Sequence, residues 1–362
     1  MLSQVSRAIL FGEAGGATVK ARARMRDVAE LAGVGTMTVS RVLSGSVPVS
    51  EETRARVLAA IANLDYRPNE VARSLREART RSIGVIVPNF YDSFFAWCAH
   101  AVSQVAQKQG YSVMVTTSSE DAEVEYREAS LLVRRNIDGL VVIPAWFGAS
   151  QLSRPEFAPV PIVTIDRPLD PQPKDTAFRG SVTIDNAEGA RLGVEHLLSH
   201  GHRRILYLSL SNDLFTLKVR HAGYERSMRS KGLRPESYFT CATQDSTLEV
   251  LRKAMSHSRP PTAIFSSNNI VTQHTLHALD TLKLKVPSDV ALVGFDDLKM
   301  FDIFLPPITV VRQPLEGLGR SAAEMLLEQL HGTAGRRAPA AGASNVVLPV
   351  ELVVRRSCGC NG

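Results

Sequence analysis

Cysteine is scarce. Four residues, Cys98, Cys241, Cys358 and Cys360, are scattered through 362 positions. That excludes the disulfide framework that staples small secreted domains and fits a reducing compartment. Long apolar runs are missing too. No stretch reaches the roughly 18 to 20 apolar residues of a membrane span. The apolar patch at Ala8–Phe11 is shorter than the ~7 to 15 residues of a secretory core. The expectation is a cytoplasmic protein with no membrane partner. No Gly-x-Gly-x-x-Gly follows the first strand-like run, and no Gly-x-x-x-x-Gly-Lys-Ser/Thr occurs anywhere, so no nucleotide cofactor is expected. No motif places a Ser/His/Asp set or a carboxylate pair, so no catalytic residue and no enzymatic activity are expected.

What is present is ordinary in amount and uneven in place. The length favours two or three domains, and 44% apolar with 22% charged residues suits a globular chain. The formal net charge is +6, yet residues 1–80 hold 12 Lys/Arg against 8 Asp/Glu while the rest holds 30 against 28. A basic N-terminal module on a near-neutral body fits a polyanionic partner. A solvated basic face is the alternative, and charge alone does not choose.

Residues 1–24 lack periodicity and read as a disordered extension, with Met25 as a second start. Order begins at "MRDVAELAGVGTMTVSRVL". Val28, Ala29, Leu31 and Ala32 form the apolar face of a first helix, which Gly33 stops. A tight turn leads to a second helix with Val39, Val42 and Leu43 inward. Ser50 caps a third, with Glu51 and Glu52 in its first turn and Val57, Leu58, Ile61 and Leu64 on one side. Helix two then offers Thr36, Met37, Thr38, Ser40 and Arg41 outward, a set suited to phosphates and base edges. A helix-turn-helix fits; so does a generic three-helix bundle. In "YRPNEVARSLR" (66–76), Asn69 caps a two-turn stripe of Val71, Ala72 and Leu75 that is too short to hold itself together in water.

The wording "DVAELAGVGTMTVSRVL … VSEETRARVLAAIANLDYRPNEVARSL" strongly resembles the DNA-binding segment of the lactose/galactose-repressor (LacI/GalR) family. One departure stands out: Gly35 replaces the usual Ser that caps the recognition helix, leaving Thr36 to take over its phosphate contact. The resemblance implies a domain at 25–80 whose hinge helix, 69–76, folds beside its twin in the minor groove. Leu75 wedges between base pairs, Ala72 allows close approach, and ordering is coupled to binding. It further implies DNA contacts from Arg26, Thr36, Met37, Thr38, Ser40, Arg41, Ser44, Ser50, Thr53, Asn69, Ala72 and Leu75.

From Arg81 the pattern changes. "SIGVIVP", "YSVMVTT", "DGLVVIP", "VPIVTID" and "GSVTID" alternate with amphipathic segments around 93–109 and 121–135. A second round follows: helices 187–200, 217–231, 246–257 and 270–282 between "RILYLSL", "SYFTC", "TAIFSS" and "VALVGFDD". This is α/β: two doubly wound parallel-sheet lobes with a cleft between the carboxyl ends of their strands. "VTIDRP", "EGARLGVEHLLSHGHRRILYL", "RHAGYERSM", "PTAIFSSNN" and "VPSDVALVGFDD" resemble the same family's effector-binding core, which is similar to periplasmic sugar-binding proteins. The implied lobes are 81–184 plus 312–343 and 185–311 plus 344–357, with chain crossings near 185, 311 and 344.

The resemblance, read residue by residue, puts an effector against Phe94, Phe95, Asp166, Arg167, Arg220, Asn268, Asp296 and Gln313. Bidentate groups beside aromatic faces suit a sugar; Arg167 with Arg220 also admits a sugar acid. Phe94 as plain core, Asp166–Arg167 as a structural ion pair, and Asp296 as a helix cap stay open. Asn269 departs from the family's usual Asn-Asp. His196, His200 and His202 fall where this family has a helix end and strand start, and Cys358-Gly-Cys360 reads as free thiols at a mobile terminus, so no metal is expected. No leucine-heptad tail follows, so a homodimer on pseudo-palindromic double-stranded operator DNA is expected. The whole reads as a ligand-responsive repressor; a solute-binding protein without a DNA role, or an enzyme using the cleft, are the alternatives.

Overall fold

The short β-branched runs become strands and the 3.6-periodic segments become helices. The computed structural model describes residues 23–44, 47–67, 79–146, 150–169, 178–332 and 344–360. The chain divides into two units, Met1–Ala78 and Arg79–Gly362.

The first unit holds α1 (Met25–Ala32), α2 (Thr36–Ser44) and α3 (Glu51–Asn63). Gly33, at φ 64°, ends α1 in the left-handed region that glycine adopts without strain. Ser50 Oγ accepts the Thr53 N–H at 3.3 Å and caps α3. Val28, Ala29, Ala32, Val39, Val42, Val57, Ala60 and Tyr66 form the core. Three leucines expected inside are not: Leu31, Leu43 and Leu58 are 54%, 36% and 51% exposed. Three short helices have no second layer to cover a wide stripe. Leu31 and Leu58 lie roughly 100° around their helices from the buried line.

The second unit contains β1 (Ser82–Val87), α4 (Ser93–Lys108), β2 (Ser112–Thr117), α5 (Ala122–Arg134), β3 (Gly139–Val142), β4 (Ile162–Ile165) and β5 (Phe178–Ile184). It continues with α6 (Asn186–Ser199), β6 (Ile205–Leu208), α7 (Phe215–Ser230), β7 (Glu236–Tyr238), α8 (Gln244–Met255), β8 (Ala263–Ser266) and α9 (Asn269–Thr281). It ends with β9 (Ala291–Phe295), β10 (Thr309–Arg312), α10 (Leu315–Gly332), β11 (Ser344–Leu348) and β12 (Glu351–Val353). Two six-stranded sheets result, ordered β11-β5-β4-β3-β1-β2 and β12-β10-β9-β8-β6-β7. All neighbours are parallel except β12, which runs antiparallel to β10. The inner strands GLVV, IVTI, ILYL and AIFS are buried at every position, as a sheet covered by helices on both faces requires.

The chain passes between sheets at Asp185, at Gln313–Pro314 and at Pro349–Val350. The last corrects the expectation of a crossing near 344. Residues 344–348 pair in parallel with 180–184 and belong to the first sheet, while Arg312 still pairs in the second. A β-branched run does not say which neighbouring edge it will extend. Within each lobe two helices meet backbone to backbone at a glycine. A Cβ at Gly319 of α10 would sit 2.5 Å from the Cys98 carbonyl oxygen of α4, and one at Gly223 of α7 would sit 2.6 Å from the Ala187 oxygen of α6.

Candidate functional site

In the first unit, Val39 and Val42 anchor the inner side of α2. Its other face carries Thr36, Met37 and Arg41 exposed and Thr38 and Ser40 half-exposed. Met37 is 68% exposed, uncommon for so apolar a side chain in a folded module. Arg26 on α1 and Ser50 before α3 are exposed, and Thr53 is half-exposed. Ser50 and Thr53 also bond each other, Oγ to Oγ1 at 2.8 Å. The side chain of Ser44, and Asn69, Ala72 and Leu75 with the whole hinge segment, lie outside the described residues.

In the second unit all eight expected effector residues line one cavity at the carboxyl ends of the two sheets, together with Asp92, Leu214, Thr216, Leu217 and Asn269. Each arrives by the same logic: strands deliver loops to that end, and helices begin there. Phe94 and Phe95 open α4 behind Asp92, which caps it by accepting the Phe94 N–H at 2.9 Å. The rings meet edge to face, centroids 5.3 Å apart, and are buried in the core as well as lining the cavity. Asp166 follows β4 and Asp296 follows β9. Both take left-handed backbones, φ 68° and 71°, a strain of about 1 kcal/mol each for a residue other than glycine. Each donates its N–H to the next strand at 2.9 Å, Asp166 to Val182 and Asp296 to Val311. The two lobes thus place equivalent carboxylates by equivalent geometry.

Arg220 on α7 is held on three sides. Its Nε donates to Asn186 Oδ1 and its Nη1 to the Ser267 carbonyl, both at 2.8 Å. The guanidinium lies 3.6 Å over the Phe295 ring and its Nη1 is 3.8 Å from Asp296. Its Nη2 has no hydrogen-bond partner among the described residues. Arg167 differs. Glu120 grips it with two oxygens at 2.7 and 2.9 Å, and the Pro144 carbonyl takes another N–H at 2.8 Å. Its neighbour Asp166 is 3.3 Å away. Asn268 spends its side-chain oxygen capping α9 through the Val271 N–H at 3.0 Å. Asp296 accepts from Gln313 Nε2 and, at 3.3 Å, from the Asn269 N–H. Gln313 Oε1 is buried without a partner among the described residues.

Sequence reasoning missed Asp92, Glu120 and Asn186. Asp92 was visible as a capping residue before Ser-Phe-Phe; Glu120 sits in a loop with no signature. Asp92 accepts from Asn269 Nδ2 at 2.9 Å, a bond from one lobe to the other. Burial pushes the Asp92 carboxyl up against the lowering effect of its Phe94 and Asn269 bonds, and Asp296 and Glu120 push it further. Burial also raises Asp166, with Arg167 and Arg220 opposing. Four carboxylates therefore surround two guanidiniums, one already neutralised. The cavity they enclose is about 50 Å³, far below the roughly 300 to 1,000 Å³ of small-molecule sites. No helix among the described residues is long and apolar enough to cross a membrane.

The profile described as "Bacterial regulatory proteins, lacI family" matches residues 24–69, and the "Periplasmic binding protein-like domain" matches 194–358. The chain is 33% identical over 316 residues to the HTH-type transcriptional repressor PurR of Aliivibrio fischeri strain MJ11, covering 85% of this chain and 92% of that one. It is 30% identical over 342 residues to the PurR of Pasteurella multocida, covering 92% and 98%. Among solved structures, the lac repressor dimer bound to operator and the anti-inducer ONPF aligns with a TM-score of 0.78 at 26% identity, covering 93% of this chain and 99% of that one. The complex of the transcriptional regulator CelR with cellobiose aligns with a TM-score of 0.64 at 28% identity, covering 93% and 100%.

Proposed function

The chain belongs to the lacI family of bacterial regulatory proteins, and we infer that it is a ligand-responsive repressor of transcription, working as a homodimer in the cytoplasm on a two-fold operator. α2 enters the major groove, with Thr36 and Met37 toward base edges and Arg41 toward base or phosphate. The 69–76 segment orders in the minor groove, where Leu75 acts as the wedge. The role is binding rather than catalysis. Domain limits follow the sheets: a DNA-binding region to about residue 80, then two lobes exchanging at the three crossings.

The observation that carries the effector reading is the convergence of Phe94, Phe95, Asp166, Arg220, Asn268, Asp296 and Gln313 on one cavity shared by both lobes. The charge balance narrows the ligand. Arg167 is satisfied by Glu120 and Arg220 stands beside Asp296, so a neutral sugar or related polyol fits better than a sugar acid. Arg220 Nη2 and Asn268 Nδ2 supply donors, Asp166 and Asp296 acceptors, and the phenyl faces the apolar wall. At about 50 Å³, the closed cleft must widen to admit such a ligand. Effector thereby shifts the balance of lobe arrangements, and with it operator affinity.

Fluorescence anisotropy of a promoter fragment, in a salt series, tests the DNA role. Log affinity should fall steeply with log salt, and removal of residues 1–80 should abolish binding. Retained binding by the truncated protein overturns it. A thermal-shift screen tests the effector class: neutral sugars should raise the melting midpoint and sugar acids should not.

A further inference from the structure

Three metal-ligating side chains that the repressor reading does not use converge at the far end of α6. His196 and His200 stand one turn apart on its last stretch, on the same helix face. Cys360, 160 residues later in the chain, brings its Sγ to 3.0 Å from His200 Nε2 and 3.6 Å from His196 Nε2. The ligand atoms of these three all lie within 4.8 Å of one another. A tetrahedral zinc with Zn–N near 2.0 Å and Zn–S near 2.3 Å separates neighbouring ligand atoms by about 3.3 to 3.6 Å, so the observed spacings bracket the coordination edge.

The terminus is not a loose tail, which corrects the sequence reading. β12 pairs with β10. Ser357 Oγ donates to the Leu292 carbonyl at 2.7 Å and accepts the Thr309 N–H at 2.8 Å. Cys358 is fully buried, and its Sγ accepts from Thr309 Oγ1 at 3.2 Å. Its Sγ also donates to the Arg355 carbonyl at 3.4 Å, so this thiol is engaged within the tail itself. His202, the third histidine of the cluster in sequence, is engaged elsewhere, its Nδ1 3.0 Å from Thr262 Oγ1.

We propose that His196, His200 and Cys360 form a three-ligand site for a zinc-class divalent cation, with solvent in the fourth position, that clasps the C-terminal tail to α6. One thiolate and two neutral imidazoles are the donors such an ion prefers, and the exposed edge of the cluster at His200 leaves the remaining charge to solvent. The His-x-x-x-His pair on a helix and Cys360 just after a paired strand fix both halves on ordered elements. The site stands roughly 15 Å along α6 from the end that faces the effector cavity.

Cobalt(II) titration of the reduced full-length protein tests this. The expected result is about one equivalent bound, with an intense visible ligand-field band and a near-ultraviolet thiolate-to-cobalt charge-transfer band, both displaced by zinc. Cys360→Ser should lose the charge-transfer band and weaken binding at least tenfold; Cys98→Ser should leave the spectrum intact. Cys360→His, which keeps a ligand, should retain binding without charge transfer, separating ligand loss from misfolding. A pale octahedral spectrum without charge transfer, or a spectrum unchanged by Cys360→Ser, overturns the proposal.

Discussion

The bond between Asp92 and Asn269 is the sharpest place to perturb the closed cleft. Asn269 is 4% exposed and Asp92 9%, and their 2.9 Å bond joins the lobes. Hydrogen bonds to a charged group contribute about 1.5 to 3 kcal/mol. Asn269→Ala removes the donor while leaving α9 intact, because alanine is well tolerated at the first helical position. In the closed form Asp92 then keeps only its bond from the Phe94 N–H; in an open form it reaches water. The bias toward opening should be about 1 to 2 kcal/mol, a factor of roughly 5 to 30 in the closed-to-open ratio. Hydrogen exchange read by mass spectrometry at peptides spanning 92–98 and 267–273 should show protection falling by that factor, with peptides from β3 and β8 unchanged. Equal protection in variant and parent at the cleft peptides, at matched global stability, refutes the idea that this bond holds the lobes shut.

Three further outcomes follow from the same geometry. Gly319→Ala should destabilise the protein by about 1 to 3 kcal/mol in urea melts, because its methyl would meet the Cys98 carbonyl oxygen at 2.5 Å. Met37→Ala should weaken operator binding about tenfold without moving the melting midpoint, since the side chain touches little within its own module; Arg41→Ala should also lower the slope of log affinity against log salt by about one. Asp92 and Asp166 have carboxyls raised by burial. Such groups hold protons more tightly folded than unfolded, so their contribution is fully present below the unfolded carboxylate range and is lost as pH rises through the raised values. Urea stability should therefore fall less between pH 4 and 7 in Asp92→Asn than in the parent.

Most of the architecture was legible because alternation of β-branched runs with amphipathic segments is a local signal. The second helix of the N-terminal module, Thr36–Ser44, carries all five of the residues read as its outward face. Asp296 does not cap the helical turn that follows it; it accepts from Gln313 and from the first turn of α9. What stayed hidden was partnership across long sequence gaps. Glu120 neutralises Arg167 from a loop 47 residues away, a partner that no local pattern around either residue announces. Cys360 meets His200 only because β12 turns back along β10. Strand 344–348 could extend either sheet until the pairing with β5 was seen. Composition reports what a segment can become, not which neighbour it will choose.

The three crossings lie side by side. The Asp185 N–H donates to the Leu348 carbonyl at 3.1 Å, tying the first to the third, and Arg312 pairs with Glu351, tying the third to the second. A single tether would let two bodies swivel about any axis. Three adjacent straps behave like the leaves of a door hinge: they resist twist and shear, and leave one soft mode. Whatever enters the cleft has one mechanical degree of freedom to drive, so its message leaves the pocket as a swing about a fixed line.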